Sequence, residues 1–160
     1  MNRRLFACLA ILLSAGPAGA ATTCRISGNP GLGFGGYDVL SASPNDSVAT
    51  VTALCTRNGG PRNVSITLQL SKGTNGSSVN ARRMRNLGPA GGYLNYNLFR
   101  DVARSAVWGF STGVDTVSQT VAVPNRGSGT TTFTIYGRIP AQQDVAVGSY
   151  NDSVTVTVTP

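Results

Sequence analysis

The chain of 160 residues carries thirteen basic side chains against six acidic ones, a formal net charge of +7, and it contains no histidine. All six acidic residues are aspartates, so histidine-dependent catalytic triads and the usual histidine-containing metal centres are excluded. Sixteen valines, seventeen threonines and twenty glycines are typical of an all-β protein with many turns. Charged residues make up only 12% of the chain, which is too few for a disordered tail.

Residues 1–20 have the parts of an export signal. Two arginines give a positive start, an apolar run covers residues 5–15, and small residues at 18–20 provide a cleavage site. The apolar run is shorter than the roughly 20 residues that a membrane-spanning helix needs. Residues 21–160 then form one domain of ordinary size. Its net charge is +5, because two basic residues leave with the signal. We therefore expect an exported protein without a membrane span.

Removal of the signal takes Cys8 away and leaves Cys24 and Cys55. An even pair of cysteines in an oxidising compartment predicts a disulfide between them. The bridge would close a loop of about 31 residues and stabilise the domain by roughly 3–4 kcal/mol. Two thiols without histidine are a poor basis for a metal site.

Apolar and polar residues alternate in short runs bounded by Gly, Asn and Pro, which predicts strands connected by turns. The clearest inward face is formed by Val64, Ile66, Leu68 and Leu70. No helix longer than a turn is expected. About seven short strands with regular turns indicate an all-β, immunoglobulin-like sandwich. The predicted strands cover residues 22–27, 47–55, 64–70, 93–100, 116–123 (one strand or two), 130–139 and 150–160.

Two stretches between the strands allow more than one interpretation. The basic run at residues 82–85 either binds an anionic surface such as lipopolysaccharide, acidic glycan or DNA, or forms a loop or edge strand with Met84 turned inward. We favour the second, because the aromatic side chains of a nucleic-acid site are absent there. Trp108 is either an exposed adhesive aromatic or a plug at the end of the sandwich, and large aromatics are mostly buried.

The sequence contains few residues that could form a catalytic site. The six aspartates are scattered and mostly adjoin turn residues, so turn formation explains them better than a pair of catalytic carboxylates. We expect no enzyme activity, no cofactor and no nucleic-acid partner.

The last stretch, residues 150–160, alternates threonine with Val154, Val156 and Val158, which places three branched apolar side chains on one face of a strand. Such a strand needs a neighbour on each side or a device that protects its edge, and no further strand follows it in the sequence. We therefore expect a sandwich that accepts a strand from another protein. Tyr150 is either a tyrosine corner or a half-buried aromatic without that function.

Short motifs spread over residues 24–152 resemble the spore coat protein U family, which includes subunits of archaic, Csu-type chaperone–usher pili. Each motif is weak alone, but together they occur in the expected order. Besides Cys24 and Cys55, the family positions are Phe34, Tyr37, Tyr96, Trp108, Tyr136, Gly137, Pro140, Gly148, Tyr150 and Asp152.

The resemblance implies an incomplete immunoglobulin-like fold that lacks its final strand. It implies a periplasmic chaperone, an outer-membrane usher and other pilin subunits as partners, and passage through the periplasm to a fimbria on the cell surface. A chaperone or a neighbouring subunit would supply the missing strand. By the same resemblance, Cys24 and Cys55 form the family's disulfide, and Val154, Val156 and Val158 line the groove for the donor strand.

One feature departs from this pattern. Only residues 21–23 precede Cys24 after signal cleavage, whereas a donated strand needs about ten or more residues. We therefore expect a tip or terminal subunit that accepts a strand and does not pass one on. The alternatives are a spore-coat or extracellular-matrix protein assembled without an usher, and an adhesin module that binds a glycan or an abiotic surface.

Overall fold

The computed structural model of the protein describes residues 21–28 and 31–160. The predicted export signal, residues 1–20, lies outside the described residues. Every regular element in the described part of the chain is a β-strand, so the predicted all-β class is confirmed. The strands are β1 (Ala21–Gly28), β2 (Asn45–Asn58), β3 (Asn63–Leu70), β4 (Arg82–Asn86), β5 (Tyr93–Phe99), β6 (Val117–Ala122), β7 (Gly127–Ile139), β8 (Tyr150–Asn151) and β9 (Val156–Thr159).

Six strands form the larger sheet, in the order β1-β2-β7-β5-β4-β8. Its centre is the antiparallel pair of β2 and β7, which stays in register from Asn45 opposite Ile139 to Arg57 opposite Gly127. Valine and threonine are frequent in both strands and suit a pleated, half-buried surface. The burial alternates along each strand with period two, which shows that one face of the sheet covers the core.

Three strands form the second sheet, in the order β6-β3-β9. The apolar face of β3 packs with the buried residues of β7 in one core. Trp108 lies inside this core, with 1% of its surface exposed. Its indole Nε1 donates a hydrogen bond to the Leu68 carbonyl at 3.0 Å, and its ring packs against Phe133 at 6.2 Å between centroids. Trp108 is therefore an interior plug, and the adhesive interpretation is wrong.

The predicted continuous strand over residues 150–160 is wrong. Its first two residues form β8, which pairs with β4 in the larger sheet, whereas β9 pairs with β3 in the smaller one. Residues 152–155 connect the two sheets. The alternation of valine and threonine describes the faces of the chain correctly but carries no information about the sheet to which each part belongs. Residues 117–122, in contrast, form one strand.

The predicted disulfide is present. Cys24 of β1 and Cys55 of β2 are directly opposite each other in the strand register and are bonded through their sulfurs. Cys55 is fully buried and belongs to the core. The bridge therefore joins the edge strand β1 to the centre of the larger sheet.

Reduction of this disulfide should lower the free energy of unfolding by roughly 3–4 kcal/mol, because the unfolded chain regains the freedom of a 31-residue loop. Urea unfolding with and without a reductant measures the difference. The double variant C24A/C55A should match the reduced protein and should not respond to the reductant. Equal stability of the oxidised and reduced forms would contradict this prediction.

Candidate functional site

The outer edge of β9 has no strand partner among the described residues. β9 pairs with β3 from Thr67 opposite Thr159 to Leu70 opposite Val156, and it is the last strand of its sheet. The preceding residues continue this pairing with the loop after β3, because Ser71 N–H donates to the Thr155 carbonyl at 3.0 Å. Among the described residues the other side of β9 has no paired strand, and such an edge is one to which another strand can add.

An open groove lies beside this edge, between the two sheets, and has a volume of about 350 Å³. Residues 31–34 form one wall and residues 153–156 form the other. Tyr96 and five apolar residues from both sheets form the floor. A second recess of about 670 Å³ adjoins the groove and shares Leu32, Phe34, Met84 and Tyr150 with it. The floor residues are Ala49, Leu70, Met84, Tyr96, Leu98 and Ile135.

The glycine-rich wall, residues 31–36, runs beside the first half of β2 without being a strand. Two side chains of β2 hold it. Ser47 Oγ donates to the Gly33 carbonyl at 2.5 Å, and Asn45 Nδ2 donates to the Gly36 carbonyl at 2.8 Å. Among the described residues no backbone hydrogen bond joins this wall to the sheet. This wall is therefore attached more weakly than the wall of residues 153–156, which is held by backbone hydrogen bonds to the loop after β3 and by the pairing of Val156 with Leu70.

Leu32 and Phe34 turn from this wall toward the core. The Phe34 ring packs edge-on against Tyr96, with 6.0 Å between ring centroids. Both side chains lie against Gly137 of β7, where an added Cβ would come within 2.6 Å of Leu32 Cδ2 and 2.8 Å of Phe34 Cζ. Gly137 thus allows the wall to lie close to the larger sheet, which gives a physical reason for glycine at this family position.

Asp152 fixes the point at which the chain crosses between the sheets. Its Oδ2 accepts a hydrogen bond from the Tyr96 hydroxyl at 2.8 Å, and its Oδ1 accepts from the backbone and side-chain nitrogens of Asn75 at 3.1 and 3.0 Å. Gly73 leaves room for the carboxylate, since an added Cβ would lie 1.9 Å from Oδ2. Burial, and then the contact with Asp152, raise the pKa of Tyr96, so its hydroxyl remains a donor well above neutral pH.

Arg82 is fully buried beneath the groove, although it lies in the basic run predicted to be a loop or edge strand. Its guanidinium donates to the carbonyls of Leu70, Ser71 and Trp108 at 2.7–3.2 Å and to Asn97 Oδ1 at 2.9 Å. Burial lowers its pKa to about 10, so the group is charged at neutral pH. Arg82 therefore binds the carbonyl end of β3 to the larger sheet.

The other members of the basic run behave differently. Met84 is buried in the core, as predicted. Arg83 lies over the Tyr93 ring, with 3.9 Å between its Cζ and the ring centroid, and donates to the Asn75 carbonyl at 2.7 Å. Only Arg85 is exposed. The run is therefore a strand of the larger sheet and forms no continuous basic surface.

Tyr150 makes the contact of a tyrosine corner. Its hydroxyl donates to the Ala146 carbonyl, four residues upstream, at 2.6 Å. Asn86 Nδ2 donates to the same hydroxyl at 3.0 Å, so β4 is tied to the start of β8. Gly148 lies against this Asn86 side chain, since an added Cβ would come within 2.5 Å of its Oδ1.

The remaining family positions make contacts near the end of β7. The Tyr37 hydroxyl donates to the Pro140 carbonyl at 2.8 Å and accepts from the Gln143 N–H at 2.8 Å. Tyr136 lies under the Arg104 guanidinium, with 5.7 Å between Cζ and the ring centroid. Tyr37, the residue after the glycine-rich wall, is thereby tied to the turn after β7.

Of the three valines predicted to line a donor-strand groove, Val154 and Val156 line the groove observed here. Val158 lies on the same face and is half-buried against the core, but it is not among the residues that line the groove. Neither the set of residues that forms the floor of the groove nor the buried position of Arg82 was predicted from the sequence. Nothing in the local pattern distinguishes Arg82 from its exposed neighbour Arg85.

Most of the aspartates accept structural hydrogen bonds. Asp46 accepts a bidentate pair from Arg138 at 2.7 and 2.9 Å, and this contact holds the pKa of Asp46 below its usual value. Asp101 accepts from the backbone N–H groups of Ser105 and Ala106, and these bonds lower its pKa in the same way. The described residues contain no cluster of three or more histidine, cysteine or acidic side chains that could hold a metal ion.

The fold and the groove define an all-β sandwich with an open slot beside its last strand. In its fold the chain is similar to a chain of the crystal structure of the CsuC–CsuE chaperone–tip adhesion subunit pre-assembly complex from archaic chaperone–usher Csu pili of Acinetobacter baumannii. The TM-score is 0.51 and the identity 18%, over 86% of this chain and 39% of that one.

The Spore Coat Protein U domain profile matches residues 10–157, and the chain belongs to that family. A relative in sequence is Protein U of Myxococcus xanthus, which is 37% identical over 84 residues, or 52% of this chain and 42% of the relative. The match thus spans less than half the length of each of these two relatives. In the described part of the chain, no helix has the length and hydrophobicity to span a bilayer.

Replacement of Arg82 by methionine should lower the free energy of unfolding by at least about 3 kcal/mol, because several buried carbonyls lose their donor at about 1–3 kcal/mol each. Urea unfolding measures the loss. The control is Arg85→Met, which removes the same charge from an exposed position of the same strand and should change stability by less than about 0.5 kcal/mol. Equal effects of the two variants would show that the buried guanidinium does not stabilise the fold.

The raised pKa of Tyr96 predicts a loss of stability in alkali. An unfolded tyrosine releases its proton near pH 10, whereas Tyr96 in the folded protein keeps its proton. The contribution of Tyr96 is complete below pH 10 and decreases by about 1.4 kcal/mol for each pH unit above it, until the folded-state pKa is reached. Tyr96→Phe should be less stable than the native protein at pH 8, and the difference should shrink between pH 10 and pH 11. A constant difference in urea titrations would contradict the prediction.

Proposed function

We propose that the protein is an exported subunit of a chaperone–usher fimbria, with residues 21–160 as its folded domain after removal of residues 1–20. In this proposal the groove accepts a strand from a periplasmic chaperone and later one from a neighbouring subunit. The observation that carries it is the apolar groove beside the unpaired edge of β9. Family membership and the likeness to a chain of a pilus chaperone–subunit complex support the same proposal.

The donated strand would hydrogen-bond to the outer edge of β9 and insert alternate side chains between the two walls. Val154 and Val156 would contact it from one wall, and Val158 would continue the same face toward the end of the strand. Four or five inserted apolar side chains, at about 1.5–3 kcal/mol each, would together contribute on the order of 10 kcal/mol. This is comparable with the whole stability of an ordinary domain, so assembly and folding would be coupled.

The same proposal places the subunit at the tip or another end of the fibre. The described residues that precede Cys24 are already paired with β2, from Ala21 opposite Asn58 to Thr23 opposite Thr56. They are therefore not free to complete a neighbour. With residues 1–20 removed, the subunit would accept a strand without passing one on. Surface attachment through such a fimbria, and a cell-surface location, are parts of this proposal.

A donor strand supplied in cis tests the groove. An alternating valine–threonine peptide fused after Pro160 through a glycine-rich linker should fill it and raise the unfolding midpoint by about 20 °C or more, given a gain on the order of 10 kcal/mol. The matched control is a peptide of the same composition in which the valines are consecutive. A monomer that melts reversibly at high temperature without any added strand, and does not respond to the fusion, would contradict the proposal.

Capture by the chaperone gives a second test. Val156→Arg places a charge in the groove wall, whereas Val48→Arg alters an exposed valine of β2 that is 53% accessible. In a periplasmic pull-down with mass spectrometry, the native chain and Val48→Arg should recover a stoichiometric chaperone, and Val156→Arg should not. Recovery of no chaperone by the native chain would favour a coat or matrix protein that is assembled without an usher.

A further inference from the structure

Three arginines lie in or next to two adjacent turns, at the end of the sandwich where β2 ends and β7 begins. The turn between β2 and β3 lies beside the turn between β6 and β7, because Gly59 N–H donates to Asn125 Oδ1 at 2.9 Å and Val123 N–H donates to the carbonyl of residue 62 at 2.8 Å. We call these three residues the arginine end. They are Arg57, Arg62 and Arg126.

None of the six aspartate side chains lies near the arginine end. Asp46 is eleven residues from Arg57 along the extended strand β2, which corresponds to about 36 Å. Asp115 precedes β6, whose first residue pairs with Leu68 at the far end of β3. The other four aspartates belong to loops and connections of that same far half, at residues 38, 101, 144 and 152. The separation from Asp46 far exceeds the screening length of about 8 Å at physiological salt. Neither of the two salt bridges recorded among the described residues involves Arg57, Arg62 or Arg126.

A shallow cavity of about 700 Å³ lies between Arg57 and Arg126. Arg57 is half-buried, and the only acceptor that its guanidinium reaches within the described residues is the Gly60 carbonyl. Arg126 is exposed at the tip of its turn. The other side chains that line the cavity are small or polar, and none is aromatic. They belong to Ala21, Thr23, Thr56, Asn58 and Ser128.

We propose that the arginine end binds the oxyanion groups of an acidic polysaccharide. The planar guanidinium groups of Arg57 and Arg126 would bind carboxylate, sulfate or phosphate through paired N–H donors. The threonine and serine hydroxyls and the Asn58 amide would hydrogen-bond to sugar hydroxyls. Single-stranded nucleic acid is the less favoured polyanion, because the cavity has no aromatic surface on which a base can stack. This surface is distant from the groove and does not depend on strand exchange.

The test measures retention of the full chain on immobilised heparin, a sulfated and carboxylated polysaccharide, in a salt gradient. The variant R57Q/R126Q is compared with R85Q/R100Q, which removes the same charge from exposed positions in the other half of the sandwich. All variants are compared in the same state, either all with a co-purified chaperone or all without one. Thermal unfolding checks that each variant is folded. R62Q/R126Q, which changes only exposed turn residues, provides a second variant if the loss of Arg57 impairs folding.

We expect R57Q/R126Q and R62Q/R126Q to elute at lower salt than both the native protein and R85Q/R100Q. The slope of log affinity against log salt should fall by about two for R57Q/R126Q, which loses both guanidinium contacts, and by about one for R62Q/R126Q, which keeps Arg57. Equal elution of all three double variants would mean that only net charge matters, which overturns the proposal. A dependence on the arginine end that is found on DNA-cellulose but not on heparin would also overturn it, in favour of nucleic acid.

Discussion

The hydrogen bond from Tyr96 to Asp152 is the contact on which the groove depends. It holds the carboxylate against the loop that follows β3, and so it determines where the last segment leaves the larger sheet and joins the smaller one. If this crossing moved, β9 would change its register against β3, and its valines would lose the face that they present to the core. The buried guanidinium of Arg82 reinforces the same region by holding the carbonyls at the end of β3.

The two walls of the groove differ in how firmly they are held. The backbone of β9 is bonded to β3 through four residue pairs, whereas the glycine-rich wall is held to β2 by two side-chain hydrogen bonds. In the proposed strand addition, the incoming strand would meet one fixed edge and one wall that can adjust to the size of the inserted side chains. Leu32 and Phe34 are partly buried against the core, so this wall covers part of it and reduces the apolar surface exposed to water.

The positions of the arginine side chains in the folded protein do not follow from the clustering of basic residues in the sequence. The most basic run of the chain, residues 82–85, forms a sheet strand in which one guanidinium is buried and another lies on a tyrosine ring. The arginine end, in contrast, is assembled from two turns that are more than sixty residues apart in the sequence. The unneutralised charge of the folded protein is therefore a property of the topology, because strand pairing brings these turns together and keeps the aspartates in the other half.

The amino-acid sequence by itself determined the all-β class, most strand positions, the inward faces, the disulfide between Cys24 and Cys55, and the inward position of Met84, because each follows from local alternation, turn residues or cysteine number. Only the tertiary structure decided that the last segment divides between two sheets, that Gly31–Gly36 forms a wall of the groove, and that Arg82 is buried. These depend on contacts between distant parts of the chain: Asp152 with Tyr96, Gly137 with Leu32 and Phe34, and Arg82 with the carbonyls of β3. A periodic pattern specifies which face of a strand is apolar, but the choice of partner strand depends on long-range packing, and no local pattern encodes it.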